Sequence, residues 1–256
     1  MKKRITLLSV LPHLFTISSI FCGMYAIIQA TDGRAADRFY LAAVAILFAV
    51  IFDSVDGRVA RMTKTESDFG VQMDSLADVI SFGVAPAVLV YQWGLTHFGL
   101  VGMLVAFFYT ACGALRLARF NVLAASSAGT SKHFVGLPIP LAAASIVSLV
   151  LLHFKMGGVQ LGYQPLLIVV VLLLALLMVS NIRYRTFKQL SGNRFAAPAA
   201  VILAVAILVA AWQTSFSLMM VIVCTSLIAM GPAEELVRFV RRRLHRRDDS
   251  EKEETV

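Results

Sequence analysis

Runs of about twenty apolar residues recur along this chain and limit what it can fold into. A helix rises about 1.5 Å per residue, so about 20 apolar residues span a hydrocarbon core about 30 Å thick. Eight such runs are legible, at 14–30, 39–62, 69–91, 98–122, 137–154, 165–182, 197–212 and 216–236. Composition agrees. Of the 256 residues, 59% are hydrophobic and 15% charged, and the mean hydropathy of +0.80 exceeds that of soluble domains. The runs do not alternate polar with apolar positions, which argues against a transmembrane barrel. The expected fold class is all-α, a polytopic transmembrane helical bundle of about eight spans. No internal repeat divides it, so a single membrane domain, 1–236, is expected, followed by a tail, 237–256.

The loops between these runs alternate in charge. One side holds the N-terminus, the 58–64 turn, the 116–132 and 183–194 loops and the tail. Of the 23 Lys and Arg residues, only Arg34, Arg38 and Lys155 fall on the other side. The positive-inside rule places both termini in the cytoplasm and the chain in the inner membrane, as a multi-pass protein. The net charge of +8 is then mostly topology, and no nucleic-acid partner is expected. In the tail, R-R-R-L-H-R-R suits anionic membrane lipids, and the acidic end after it suits solvent. A cleaved signal peptide ending at Ile28-Gln29-Ala30 is a competing reading of the first run. Pro12 and His13 interrupt that run early, yet residues 14–30 are long enough to begin a true span. Cys22, Cys112 and Cys224 stand singly in apolar runs without zinc-like spacing and read as small buried hydrophobes.

Against this apolar background, four acids stand out. Asp53 and Asp56 sit near the end of the second run, Asp74 and Asp78 near the start of the third. A charged side chain at a membrane helix centre costs about 2.5–3.5 kcal/mol, so four uncompensated acids would cost about 10 kcal/mol. Spacings of three and four put each pair on one helix face. The turn between the runs is short, so the helices should be antiparallel neighbours with all four carboxylates converging on a cavity open to the cytosol. An all-oxygen set of this kind suits hard divalent cations, Mg²⁺, Mn²⁺ or Ca²⁺, rather than zinc. Such ions handle phosphates, and in pairs they clamp both oxygens of a displacement. Gly57 and Ala60 leave room for a ligand, Arg61 one turn on can meet a phosphate oxygen, and Gly70 leaves the next helix a bare entry. The competing reading, that the acids cap helices or pair with Arg58, Arg61 and Lys64, explains one acid better than four.

The pattern D-x2-D-G-x2-A-R-x8-G-x3-D-x3-D resembles the signature of the CDP-alcohol phosphatidyltransferases. Asp53, Asp56, Gly57, Ala60, Arg61, Gly70, Asp74 and Asp78 match it without a gap. The resemblance implies two metal ions per site, with Asp53 and Asp74 bridging both, Asp56 on one and Asp78 on the other. It implies that Asp78 deprotonates the attacking alcohol, that Gly57, Arg61 and Ser67 contact the CDP-linked lipid, and that the protein is a homodimer.

Two further stretches bear on the alcohol. L-P-H-L-F-T-I-S-S-I-F-C-G-M-Y-A-I, at 11–27, is similar to the opening of the type II phosphatidylserine synthases, where L-P-N-x-F-T-x-x-N-x-x-C-G-x-x-A is usual. His13 and Ser19 replace the two asparagines, and Thr16 and Ser19 remain candidate contacts for the cytidine part. His13 itself reads more simply as an interfacial residue. A-L-R-L-A-R-F-N-V (114–122) and F-V-G-L-P-I-P-L-A-A (134–143) resemble the same branch. Arg116, Arg119 and Lys132 are candidates to hold an amino-acid carboxylate, and Asn121 to orient its ammonium or hydroxyl. The implied substrates are CDP-diacylglycerol and L-serine. Rivals are a family relative using glycerol-3-phosphate or inositol phosphate and, in another class, a cation-coupled transporter. Transporter sites favour the midplane and repeated halves, which this chain lacks. The other synthase type uses H-x-K-x4-D, and here His153 and Lys155 are followed by Gln160 where the acid belongs. Asp78→Asn is expected to stay folded and lose turnover, as read by CMP release; near-normal activity in the variant would remove Asp78 from the chemistry.

Overall fold

The computed structural model describes residues 7–32, 36–63, 67–126, 134–157, 164–184 and 217–232, and nearly all of them are helical. In order come α1 (Leu7–Thr31), α2 (Ala36–Thr63), α3 (Asp68–Asp78), α4 (Ala85–Val90), α5 (Leu100–Ser126), α6 (Ile139–Lys155) and α7 (Gln164–Val179), then α8 (Ser217–Pro232). Four stretches are long and apolar enough to cross a membrane: His13–Thr31, Asp37–Thr63, Asp68–Phe98 and Leu100–Leu123. The helices α6, α7 and α8 are apolar but shorter. The described residues are all but entirely helical, and four stretches suit a membrane by length and composition. The expected span at 197–212, the tail and Lys132 lie outside the described residues.

Two boundaries depart from the sequence reading. The first helix starts at Leu7 and runs through Pro12 and His13. Pro12 forgoes the bond its N–H would make to the Leu8 carbonyl, yet the helix continues through it, so the interruption read from the sequence does not end α1. The third span does not end near Tyr91. It continues through a π-helical turn, Tyr91–Leu95, and a 3₁₀ turn, Thr96–Phe98. The direction reverses at Gly99, whose φ of 52° is costly for a residue with a side chain. The residues at 93–97 are therefore helical, not a loop.

Small residues let α1 and α2 approach closely. Ala26, Ala30, Ala42, Ala43 and Ala49 are fully buried along the α1–α2 contact, as expected where lipid is as apolar as the core and close packing must hold helices together. Helix α1 continues unbroken past Ala30, so the stretch that resembles a cleavage site is part of this core. The other end is tied by Arg38, which donates to Gln29 Oε1 at 2.8 Å and pairs with Asp32 at 3.2 Å. At Gly23 a Cβ would lie 2.9 Å from Ser81 Cα, so α1 meets the backbone that follows α3 almost directly.

That backbone is a π-helical turn, Val79–Val84, immediately after Asp78. Pro86 sits in the first turn of α4 and has no N–H to return to the Phe82 carbonyl. In an apolar interior such an acceptor needs another partner. Tyr109 on α5, fully buried, donates its hydroxyl to Phe82 O at 3.2 Å, and Thr110 donates to Gly83 O at 3.2 Å. The wide turn and its two clamps fix where α3 leaves the acid region. Farther along, Phe134–Val135 and Arg183–Tyr184 form a two-residue antiparallel pair, β1 with β2. Gly136 N–H donates to Ile182 O at 2.8 Å and Leu137 N–H to Leu177 O at 3.0 Å, joining the start of α6 to the end of α7. Tyr109→Phe, which keeps the ring and removes the donor, is expected to lower stability by about 1 kcal/mol, read by thermal or detergent unfolding.

Candidate active site

The turn between α2 and α3 is the reference point for the acids. Asp53 lies ten residues before Thr63, where α2 ends, and Asp78 ten residues after Asp68, where α3 begins. At 1.5 Å per residue each is about 15 Å from its helix end. Asp56 and Asp74 lie about 10 Å from the same ends, so the two pairs of acids meet at matched depth, with α1 packed against both α2 and α3. Ser67 starts α3 as its N-cap, accepting a hydrogen bond from Gly70 N–H at 3.1 Å. This sets the helix phase that turns Asp74 and Asp78 toward α2.

Asp53, Asp56 and Asp74 each offer a carboxylate oxygen, and the three oxygens lie within 4.8 Å of one another. Asp78, one helical turn beyond Asp74 on α3, is near enough to Asp53 and Asp74 to interact with both electrostatically. Asp56 and Asp78 are 5% and 9% exposed, and α1 reaches into the group, where Thr16 Oγ1 donates to Asp56 Oδ2 at 2.9 Å. Among the described residues the one ion pair joins Arg38 to Asp32. None of the four acids is paired with Arg58 or Arg61, and Lys64, the third partner of the ion-pair reading, lies outside the described residues. Several anionic oxygens gathered in an apolar surrounding without a cation make a donor set that fits a hard divalent ion.

A cavity of about 500 Å³ opens beside the trio, lined by His13, Thr16, Asp56, Gly57, Ala60, Arg61, Ser67, Asp68, Gly70, Val71, Asp74 and Phe120. Its size is that of a small-molecule site. The expected residues Thr16, Gly57, Ala60, Arg61, Ser67 and Gly70 all line it. A Cβ on Gly57 would come within 3.9–4.0 Å of the Arg61 guanidinium, so Arg61 folds back over Gly57 at the cavity wall. Ser19 does not line it. It is 2% exposed at a three-helix junction, with its hydroxyl near Ala49 O and Ser81 Oγ, and Ser81 donates to its carbonyl at 2.9 Å.

Sequence reasoning undervalued His13. Read as interfacial, it lines the cavity, edge-on to Phe69 with ring centroids 5.9 Å apart. The signal was available, because it occupies a family motif position with a different residue. Phe120, inside R-L-A-R-F-N, was also overlooked as a cavity wall.

The residues singled out for an amino acid do not stay together. Arg119 donates to Asn181 Oδ1 at 2.7 Å and to Val179 O at 3.4 Å, capping the end of α7 as a cation suits a helix C-terminus. Asn121 donates to Ser75 Oγ at 2.9 Å and Gln72 Oε1 at 3.4 Å, tying α5 to α3. Arg116 is 8% exposed and faces Asp78 electrostatically.

Residues 9–169 match the CDP-alcohol phosphatidyltransferase family. The chain is similar to the CDP-diacylglycerol–serine O-phosphatidyltransferase of Helicobacter pylori, 44% identical over 71% of this chain and 74% of that protein. It is also similar to the archaetidylserine synthase of Methanothermobacter thermautotrophicus, at 41% over 71% of this chain and 72% of that protein. The CDP-diacylglycerol–serine O-phosphatidyltransferase of Mycobacterium leprae is 39% identical over 61% of this chain and 51% of that protein. Thr16→Val removes the hydroxyl that orients Asp56. It is expected to raise the divalent-ion concentration needed for half-maximal activity by about tenfold, measured by titrating Mg²⁺ or Mn²⁺ into CMP-release assays.

Proposed function

This chain belongs to the CDP-alcohol phosphatidyltransferase family, and from that premise we propose that it transfers the phosphatidyl group of CDP-diacylglycerol to the hydroxyl of L-serine, giving phosphatidylserine and CMP. The observation that carries the reaction is the trio of Asp53, Asp56 and Asp74 oxygens within 4.8 Å beside a cavity walled by Gly57 and Arg61. Serine as the acceptor is supported by the names of the similar proteins. It is also supported by the R-L-A-R-F-N and G-L-P-I-P stretches, which fall inside the matched residues.

Asp53, Asp56, Asp74 and Asp78 would hold the divalent ions, Mg²⁺ or Mn²⁺, that the family resemblance implies. When bound they neutralise pyrophosphate charge and stabilise the departing phosphate of CMP. The chain's own groups do the rest. Gly57 admits the pyrophosphate close to α2, and Arg61 above it meets phosphate oxygens with charge-assisted hydrogen bonds. The serine hydroxyl oxygen forms a bond to the lipid-side phosphorus as the bond from that phosphorus to the CMP oxygen breaks. Asp78, deep beside Asp53, takes the hydroxyl proton late in the attack, when that proton has become acidic. The apolar walls keep competing water away from the reacting phosphorus.

The site is assigned to the cytoplasmic face of the inner membrane, where both substrates and CMP exchange. Arg58, Arg61, Arg116 and Arg119 mark that end of α2 and α5, which supports the orientation. The active form is assigned as a homodimer. In detergent micelles containing CDP-diacylglycerol, CMP release is expected with L-serine and Mg²⁺ or Mn²⁺, and is expected to fall to background with a chelator. Release driven by glycerol-3-phosphate in place of serine would move the protein to another branch of the family.

A further inference from the structure

A serine inside a membrane helix commonly satisfies its hydroxyl on its own helix, one turn back. Ser18, Ser54, Ser75 and Ser145 do so, each donating to the carbonyl four residues earlier. Ser19 and Ser81 depart from that pattern. Ser81, fully buried, donates across to the backbone carbonyl of Ser19 at 2.9 Å. The Ser19 hydroxyl lies 3.3 Å from Ser81 Oγ and 3.4 Å from the Ala49 carbonyl, two acceptors for one proton. Three separate elements meet at this pair: α1, α2 and the π-helical turn Val79–Val84.

The pair lies one turn deeper in the membrane than the acids on every element it touches. Ser19 follows Thr16 by three residues on α1, Ala49 precedes Asp53 by four on α2, and Ser81 follows Asp78 by three. Each step is about 5 Å along the chain axis. In the layer above, Thr16 ties α1 to α2 through Asp56. The hydroxyl pair adds the third element, through the turn that begins directly after Asp78. Turns of this wide kind are uncommon and recur at functional sites. One turn deeper still, a Cβ on Gly23 would lie 2.9 Å from both Cα and Oγ of Ser81, closer than side chains approach. Ser81 therefore has no room to move toward α1, and its hydrogen bonds keep it from moving away.

We propose that the Ser19–Ser81 pair is a positioning junction for the acid cluster, fixing the heights of α1, α2 and α3 against one another. Neither serine lines the cavity; both act through Thr16, Asp53 and Asp78. Close carboxylates repel, so a tie that does not depend on a bound ion is what holds their oxygens at a fixed separation beforehand. The proposal rests on the reading of the acids as a divalent-ion site.

The test measures Mn²⁺ binding to the full chain in detergent micelles by electron paramagnetic resonance, beside CMP release. Ser81→Ala is expected to weaken Mn²⁺ binding by about 10-fold. The Mn²⁺ concentration for half-maximal CMP release should rise by the same factor, with the KM for CDP-diacylglycerol within about twofold. Gly23→Ala keeps both hydroxyls and forces α1 off the turn, so it should weaken binding similarly, and it carries the test where Ser81→Ala does not fold. Ser148→Ala removes a buried hydroxyl bonded within α6 and should leave affinity within about twofold. A merely structural hydroxyl would lower the unfolding temperature, while the folded molecules bound Mn²⁺ as the wild type does. Unchanged affinity in the folded Ser81→Ala and Gly23→Ala proteins overturns the proposal, as does an equal loss in Ser148→Ala. A wild type that binds no Mn²⁺ overturns it together with the ion-site reading. Weakened Mn²⁺ binding in Ser81→Ala supports the junction even where serine drives no CMP release, an outcome that overturns the serine reading alone.

Discussion

Holding carboxylates inside a bundle of membrane helices is the constraint on which the rest of this structure depends. Asp53 and Asp78 sit about 15 Å, and Asp56 and Asp74 about 10 Å, from the helix ends that flank the turn, and Asp56 and Asp78 are buried, which is costly for a charged group in an apolar bundle. No arginine among the described residues pairs with them. What the protein supplies is partial: a hydroxyl from Thr16 to Asp56. A cation held by the cluster would supply further stabilisation. Fold stability must then come from elsewhere. It comes from alanine-rich contact between α1 and α2 and from backbone groups satisfied across helices.

Helix α5 links these demands. Its Tyr109 and Thr110 satisfy the carbonyls of the π-helical turn that follows Asp78. Asn121 reaches α3 through Ser75, and Phe120 forms part of the cavity wall. One helix therefore fixes both ends of the segment that carries Asp74 and Asp78. Arg119 does the same for α7, through its last carbonyls and Asn181. The resulting scaffold is stiff around the acids, as needed when donor oxygens must hold a fixed separation before any ligand binds.

Much of the site was legible because helical spacing is a local rule. Positions 53 and 56, and 74 and 78, must share faces on any helix, and a short turn must bring the two helices together. The glycines and Arg61 follow the same periodicity. Residues whose roles depend on a distant partner were not legible. Ser19 stands at a motif position in place of the usual asparagine and sits in a helix junction, because α2 and the turn after α3 close around it. Arg119 and Asn121 stand out as candidate ligands in sequence and are hydrogen-bonded here as ties, because the end of α7 and the middle of α3 lie opposite them. His13 looked interfacial until α1 proved to extend to Leu7 and carry it over the cavity.

By itself the sequence determined that the chain is an apolar helical bundle with a carboxylate site shared by two antiparallel helices. It did so because apolar run length and the 3.6-residue period act within one or two elements. Only the tertiary structure decided that three of the four acids form the close trio while Asp78 lies below them. It also decided that, of the arginines of α5, Arg119 is a helix cap and Arg116 a buried donor left open. A charged side chain takes its meaning from the group opposite it, and which group that is depends on how non-neighbouring helices pack.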